Sequence, residues 1–383
     1  MRKLLFSLLI PGVLVAALFV PGPATATHVN NALHRKVVGE LNGFVAWLDK
    51  HNAPGFVGET GWPDNHHGDS GRWNDLAEDW FDIADAANLG AVVWATGEWW
   101  PSDYRLAVYE NLDGQGGVES ANTQAPVLES HLSTAEYLRG INVSTGTFCE
   151  GHGVERTSTF SNHDTGRYNE CYRYDSQETF DYLASRGLDL VKIEFRWEIL
   201  QRRLGGPLHS KSIERLVAVV DRARSAALRV ILSMHNFGAY WLWDGEQGVR
   251  RPIGSAKVSF ADFADVWRRL TTRFKDVSDV NYAIMSEPVA LKPKGDLSPR
   301  EVWEKASQRA LDAIRANGDN KTILVNGYRW SSLADWPEIH PDPWISDPAD
   351  NFFYTAHHYW DRDTSGQYSY SYDSEVQYAE SQE

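Results

Sequence analysis

Residues 55–63 read GFVGETGWP: a short apolar run between glycines that ends on one carboxylate, Glu59, with a rigid Trp-Pro pair behind it. A run of this length bounded by turn residues is the pattern of a strand buried on both faces. Seven similar runs follow, at residues 90–95 (GAVVWA), 137–143 (YLRGINV), 189–195 (DLVKIEF), 228–234 (LRVILSM), 281–286 (NYAIMS), 322–326 (TILVN) and 352–356 (FFYTA). Between most of them lie segments of helical period, such as residues 212–224, 260–274 and 302–314. Strand alternating with helix eight times predicts parallel βαβ units that close into an α/β (β/α)8 TIM barrel. A doubly wound open sheet would place a glycine-rich phosphate turn after its first strand, and the sequence has none there.

A barrel of this type carries its chemistry at the C-terminal ends of its strands. The residues at or just after the eight runs are polar: Glu59, Glu98, Asn142, Arg196, His235, Glu287, Asn326 and the pair His357–His358. Two of the carboxylates, Glu59 in GETGWP and Glu287 in MSEP, are each followed by a rigid element. Such a pair suits cleavage of a glycosidic bond, one carboxyl protonating the leaving oxygen and the other attacking the anomeric carbon. The 16 Trp and 16 Tyr supply flat apolar faces that stack on sugar rings as readily as they fill a core.

The charge balance, 37 basic against 52 acidic residues for a net −15, argues against nucleic acid or an anionic membrane as partner. A neutral polysaccharide or oligosaccharide fits. Residues 1–26 combine a basic start, an apolar stretch and the A-x-A sequence Ala24-Thr25-Ala26, which predicts a signal peptide and a secreted, extracellular chain with no membrane attachment after its removal. In that oxidising setting the two cysteines, Cys149 and Cys171, are expected to pair. Without a matching histidine pattern they make a poor zinc site, and no metal is expected.

The strand-end motifs together resemble glycoside hydrolase family 5, the cellulase family of retaining (β/α)8 barrels, over nearly the whole chain after the leader. The family's fourth-strand Asn-Glu-Pro resembles Ser286-Glu287-Pro288, which implies that Glu287 is the acid/base. Its seventh-strand Gly-Glu resembles Gly58-Glu59, implying that Glu59 is the nucleophile. His235 and Asn236 in SMHNFG match the third strand, His357 and Tyr359 in AHHYWD the sixth, and Trp94 in VVWATGEWW the eighth, where a tryptophan underlies the sugar. The resemblance therefore implies a retaining endo-acting enzyme on β-linked glucan-type or mannan-type polysaccharide, needing no cofactor and expected to act as a monomer.

In the family the nucleophile strand is the seventh, yet here it comes first. The chain reads as a circular permutant with strand order 7-8-1-2-3-4-5-6. Residues 27–110 would supply helix six to strand eight, 111–135 a linker, and 136–383 strands one to six, all within one folded domain, 27–383. Two positions depart from the family pattern: Ser286 stands for the asparagine that contacts the sugar 2-OH, and Lys192 for an arginine that supports the nucleophile. Strand alternation puts Lys192, Glu194 and Arg196 on one face, so Arg196 is expected to compensate in part. Glu98, beside Trp99 and Trp100, is expected to contact substrate. The two departures also frame an alternative, a weak or inactive barrel that binds polysaccharide.

Overall fold

The computed structural model describes residues 30–64, 67–112, 114, 116–132, 138–147 and 155–383. The leader, 1–26, lies outside them. So does Cys149, while Cys171 is disulfide-bonded.

Eight parallel strands among the described residues form a closed ring: β1 (Gly55–Gly61), β2 (Gly90–Thr96), β3 (Arg139–Val143), β4 (Leu190–Phe195), β5 (Arg229–Met234), β6 (Val280–Ala283), β7 (Ile323–Asn326) and β8 (Phe352–Tyr359). Each pairs with its neighbours in sequence, and β1 also pairs with β8, which closes the barrel. Every strand expected from an apolar run is present. All are buried along almost their whole length, as parallel strands covered by helices must be.

The surrounding helices follow the apolar period and carry their own start signals. Helix α1 (Ala32–His51) begins where Asn31 accepts the His34 N–H at 2.9 Å. After α2 (Ser70–Ala86), α3 (Gln177–Ser185) and α4 (Ser210–Ser225) come α5 (Phe260–Phe274) and α6 (Pro299–Ala316), each opened by a capping box, Ser259 with Asp262 and Ser298 with Glu301. A last helix, α7 (Tyr372–Glu380), lies beside α1: Asn31 donates to the Tyr372 hydroxyl at 3.1 Å, and Arg35 grips the Glu383 carboxylate through two nitrogens at 2.8 and 2.7 Å. None of the described helices is long and apolar enough to cross a membrane.

The region expected to be a linker is more ordered than its composition implied. Within it Ser120–Ala121 pairs antiparallel with Tyr109–Glu110 just before it, and a helix, Ala125–Ser130, buries Ala125, Val127 and Leu128. Three buried apolar side chains in so short a helix are a signal too short to register as a period.

Under β7 and β8, Arg315 at the end of α6 makes a two-pronged contact with the fully buried Asp347 carboxylate, both distances 2.7 Å, and donates to the carbonyls of Asp319, Lys321 and Asn351. Removing one partner of such a buried pair strands the other charge, which costs about 3–5 kcal/mol. Arg315→Ala is therefore expected to lower unfolding stability by that amount in urea denaturation. A loss below about 1 kcal/mol would show that the pair does not hold this end of the barrel.

Candidate active site

The two carboxylates meet at the C-terminal mouth of the barrel. In β1 the register shifts between Val57 and Glu59, so that Glu59 pairs with His357 of β8. A bulge of this kind re-aims a side chain. Gly58 lies at the bulge, and a Cβ there would sit 2.4 Å from the Thr355 hydroxyl oxygen. Glu287 follows β6 by four residues and takes a left-handed backbone, φ 50°, a conformation that non-glycine residues keep mainly where the surroundings enforce it.

Glu59 is held from two sides. The Tyr359 hydroxyl donates to its Oε1 at 2.6 Å, and the Lys192 ammonium lies 3.5 Å from its Oε2. Lys192 also donates to the Gly58 carbonyl at 3.1 Å. Because β4 and β1 are not neighbours in the ring, this lysine reaches across the barrel interior. Burial first, and then the adjacent Glu59 charge, keep the Tyr359 hydroxyl protonated well above its ordinary range.

His357 links the two acids. Its Nδ1 lies 2.9 Å from Glu287 Oε1 and 3.8 Å from Glu59 Oε1, while its Nε2 faces the Asn326 side-chain amide at 3.0 Å. An amide nitrogen can only donate, so Nε2 accepts and the ring proton sits on Nδ1, donated to Glu287. Burial pushes the ring down to about 4, which keeps it neutral near pH 7. Burial also raises the Glu287 carboxyl to about 7, against the pull of the His235 and Lys192 charges. The Glu287 side chain remains 16% exposed, against 4% for Glu59.

Glu59, Glu287, His235, His357, Tyr359 and Trp94 line one cavity of about 1080 Å³. Trp94 is fixed by its indole N–H, which donates to the Tyr104 hydroxyl at 2.6 Å; Tyr104 stacks in turn on Trp100, ring centres 3.9 Å apart. Sequence reasoning missed Tyr104, Phe237 and Trp330, which also line the cavity. They sit on loops, where neither period nor motif marks a residue.

Four expected site residues lie elsewhere. Glu98 turns out of the mouth after Gly97, φ 134°, and accepts from the Ser176 N–H and the Thr179 hydroxyl, both at 2.7 Å, at the start of α3. Arg196 does not share the face of Lys192, because β4 ends at Phe195 and a short helix, Trp197–Leu200, begins. Its guanidinium lies 3.7 Å from Glu198 and over the Phe160 ring. Asn236 donates to both Glu198 oxygens, at 2.9 and 2.8 Å, and accepts from the Trp197 N–H. Ser286 is fully buried, its hydroxyl without a hydrogen-bond partner among the described residues. Tyr240 and Trp241, in the strand Ala239–Trp243, are buried and do not line this cavity.

Among the described residues two groups have the donor spacing for a cation: Glu59 with Glu287 and His357, and Asp82 with Asp85 and His131. In the first, the Lys192 ammonium already lies 3.5 Å from Glu59. In the second, Arg139 lies 2.6 Å from Asp85. A resident positive charge opposes a metal in both.

A family model described as Cellulase (glycosyl hydrolase family 5) matches residues 149–383. Glu287, His235 and His357 fall inside that match, and Glu59 and Trp94 before it. The manganese dependent endoglucanase Eg5A of Phanerodontia chrysosporium is 28% identical over 195 residues, 49% of this chain and 47% of that protein. A probable endo-beta-1,4-glucanase B of Neosartorya fischeri is 26% identical over 210 residues, 52% and 56% of the two chains. The crystal structure of Pseudomonas stutzeri endoglucanase Cel5A in complex with cellobiose is 37% identical, covering 58% of this chain and 62% of that one, with a TM-score of 0.48. The chain thus spans about half the length of the curated relatives it matches. With the family model covering well over half of its residues, the chain belongs to the cellulase family, glycosyl hydrolase family 5.

Proposed function

We propose that the protein is a secreted endo-acting retaining β-glycosidase whose substrate is a β-1,4-glucan. The separation of the two acids carries this reading. One oxygen of Glu59, one of Glu287 and a nitrogen of His357 all lie within 4.8 Å of one another. An approach of oxygen to oxygen this close agrees with the carboxyl spacing of about 5–5.5 Å in retaining glycosidases. The β-1,4-glucan reading is supported by relatives named as endo-β-1,4-glucanases; mannan is the second candidate. Secretion rests on the leader sequence.

In the first step Glu287 gives its proton to the glycosidic oxygen as the Glu59 carboxylate attacks the anomeric carbon; the C–O bond to the leaving group breaks and an ester to Glu59 forms. In the second, the Glu287 carboxylate takes a proton from water, whose oxygen displaces Glu59 and restores both acids. Tyr359 and Lys192 orient the nucleophile, His357 aims Glu287 through its Nδ1 proton, and Trp94 stacks beneath the sugar. Neither step needs a metal.

The permuted strand order belongs to the same proposal. It is supported by a family match confined to the part from residue 149 onward, together with an equivalent of the seventh-strand motif in β1. The contact of α1 with α7 brings residues 35 and 383 together, so a chain joined there and opened between 111 and 135 is expected to fold to the same far-ultraviolet spectrum. An unfolded product would count against this order.

Purified protein is expected to hydrolyse soluble β-1,4-glucan, with Glu59→Ala and Glu287→Ala each losing at least a thousandfold in kcat. A folded parent inactive on glucan, mannan and aryl β-glycosides would leave the polysaccharide-binding reading. Ser286→Asn, which places the longer amide donor of the family pattern at this position, is expected to raise kcat of a working enzyme up to about a hundredfold; no gain would make Ser286 neutral.

With Glu287 raised to about 7 by burial, its acid form is present below that pH and lost above it. The ratio kcat/KM is therefore expected to fall tenfold per pH unit above about 7. A plateau extending past pH 9 would exclude Glu287 as the acid.

A further inference from the structure

A third carboxylate lies behind the catalytic pair. Glu194 on β4 has no exposed side-chain surface, and it does not line the cavity. Its Oε2 is 2.7 Å from His235 Nδ1, and its Oε1 is 3.6 Å from the Lys192 ammonium that also faces Glu59. His235, at the end of the neighbouring strand β5, does line the cavity, between the rings of Trp94 and Phe237 at 6.2 and 4.7 Å. A carboxylate buried this deeply either takes up a proton or is matched by nearby cations. Among the described residues the cations that contact it are Lys192 and, when doubly protonated, His235.

The charge state of His235 decides what it offers a ligand. A neutral ring whose Nδ1 proton points to Glu194 has an Nε2 that only accepts, whereas the imidazolium has a second N–H. We propose that Glu194 is a positioning residue that holds His235 doubly protonated, so that the ring presents an N–H donor to the oligosaccharide in the cavity. Sugar hydroxyl and ring oxygens can accept from it, and the donor carries positive charge, which strengthens the bond.

The groups around the ring agree with this state. Facing it are Glu194 and Lys192 from β4, Glu59 from β1, Glu287 after β6 and His357 from β8. Burial favours the neutral ring, but Glu194, its largest opponent, then Glu59 and Glu287, outweigh it and raise His235 above its ordinary value. For Glu194 burial works upward, yet His235 first and then Lys192 hold it below the usual carboxylate range. Two carboxylates, Glu59 and Glu194, are thereby matched by two cations, Lys192 and His235.

The inference uses the glycosidase reading only for the ligand, and its test does not depend on activity. In full-length protein carrying 15N-labelled histidine, with the His235 signal assigned by its absence from His235→Gln, the ring is expected to stay doubly protonated at pH 7. Glu194→Gln is expected to move its midpoint down by about one to three pH units and to lower kcat/KM on soluble β-glucan at pH 6 at least tenfold. Glu194→Asp, which keeps the charge, should retain more of both. A neutral His235 at pH 6 in the parent would overturn the proposal even if the glutamine variant failed to fold, as would an unchanged midpoint in a folded Glu194→Gln. A protein that shows the titration but hydrolyses nothing would refute the glycosidase reading and leave this one standing.

Discussion

The ladder between the first strand and the last holds the candidate site together. β1 and β8 are separated by nearly the whole described chain, yet their parallel pairing sets Glu59 against His357 and Gly61 against Tyr359. Without it the nucleophile candidate has no phenol donor and the acid candidate no aligned imidazole. The site is thus the product of the longest-range contact in the barrel. Such contacts carry the largest loop-closure entropy, and here the cost is offset by a fully buried strand and by the packing of α1 against α7 and the β8 segment.

Around this ladder the interior works by charge matching. Lys192 crosses the barrel to serve two carboxylates at once, 3.5 Å from Glu59 and 3.6 Å from Glu194. A single flexible ammonium can do this where a planar guanidinium, with its fixed fork, would favour one partner. Glu287 sits apart from that pairing, against a neutral imidazole, and burial outweighs the pull of the more distant His235 and Lys192 charges on it. One acid therefore faces a cation and a phenol donor, and the other a neutral ring, which is the asymmetry a proton donor and a nucleophile require.

Much of this was legible in the sequence, and the failures share one cause. All eight strands announce themselves as apolar runs, because strands covered on both faces have no polar side to disguise them. Glu59, Trp94, His235 and His357, each read from one of those runs, line the cavity. Glu98, Arg196 and Asn236 do not, since each sits where the chain leaves its strand. A glycine at φ 134° redirects Glu98, a short helix captures Arg196, and Glu198 claims Asn236. Loop direction is set by such tertiary partners and not by period, and for the same reason Tyr104 and Trp330 carried no signal.

The central claim is that a carboxylate on the first strand attacks the sugar in a site completed by the last. Its most direct test is to inactivate the enzyme with a 2-deoxy-2-fluoro β-cellobioside bearing a good leaving group, which slows the second step and traps the ester, and then to locate the label by peptide mass spectrometry. The account predicts one label per chain, on Glu59 within residues 55–63. A label on Glu287, Glu98 or another carboxylate, or steady turnover of the reagent with no labelled protein, would contradict it.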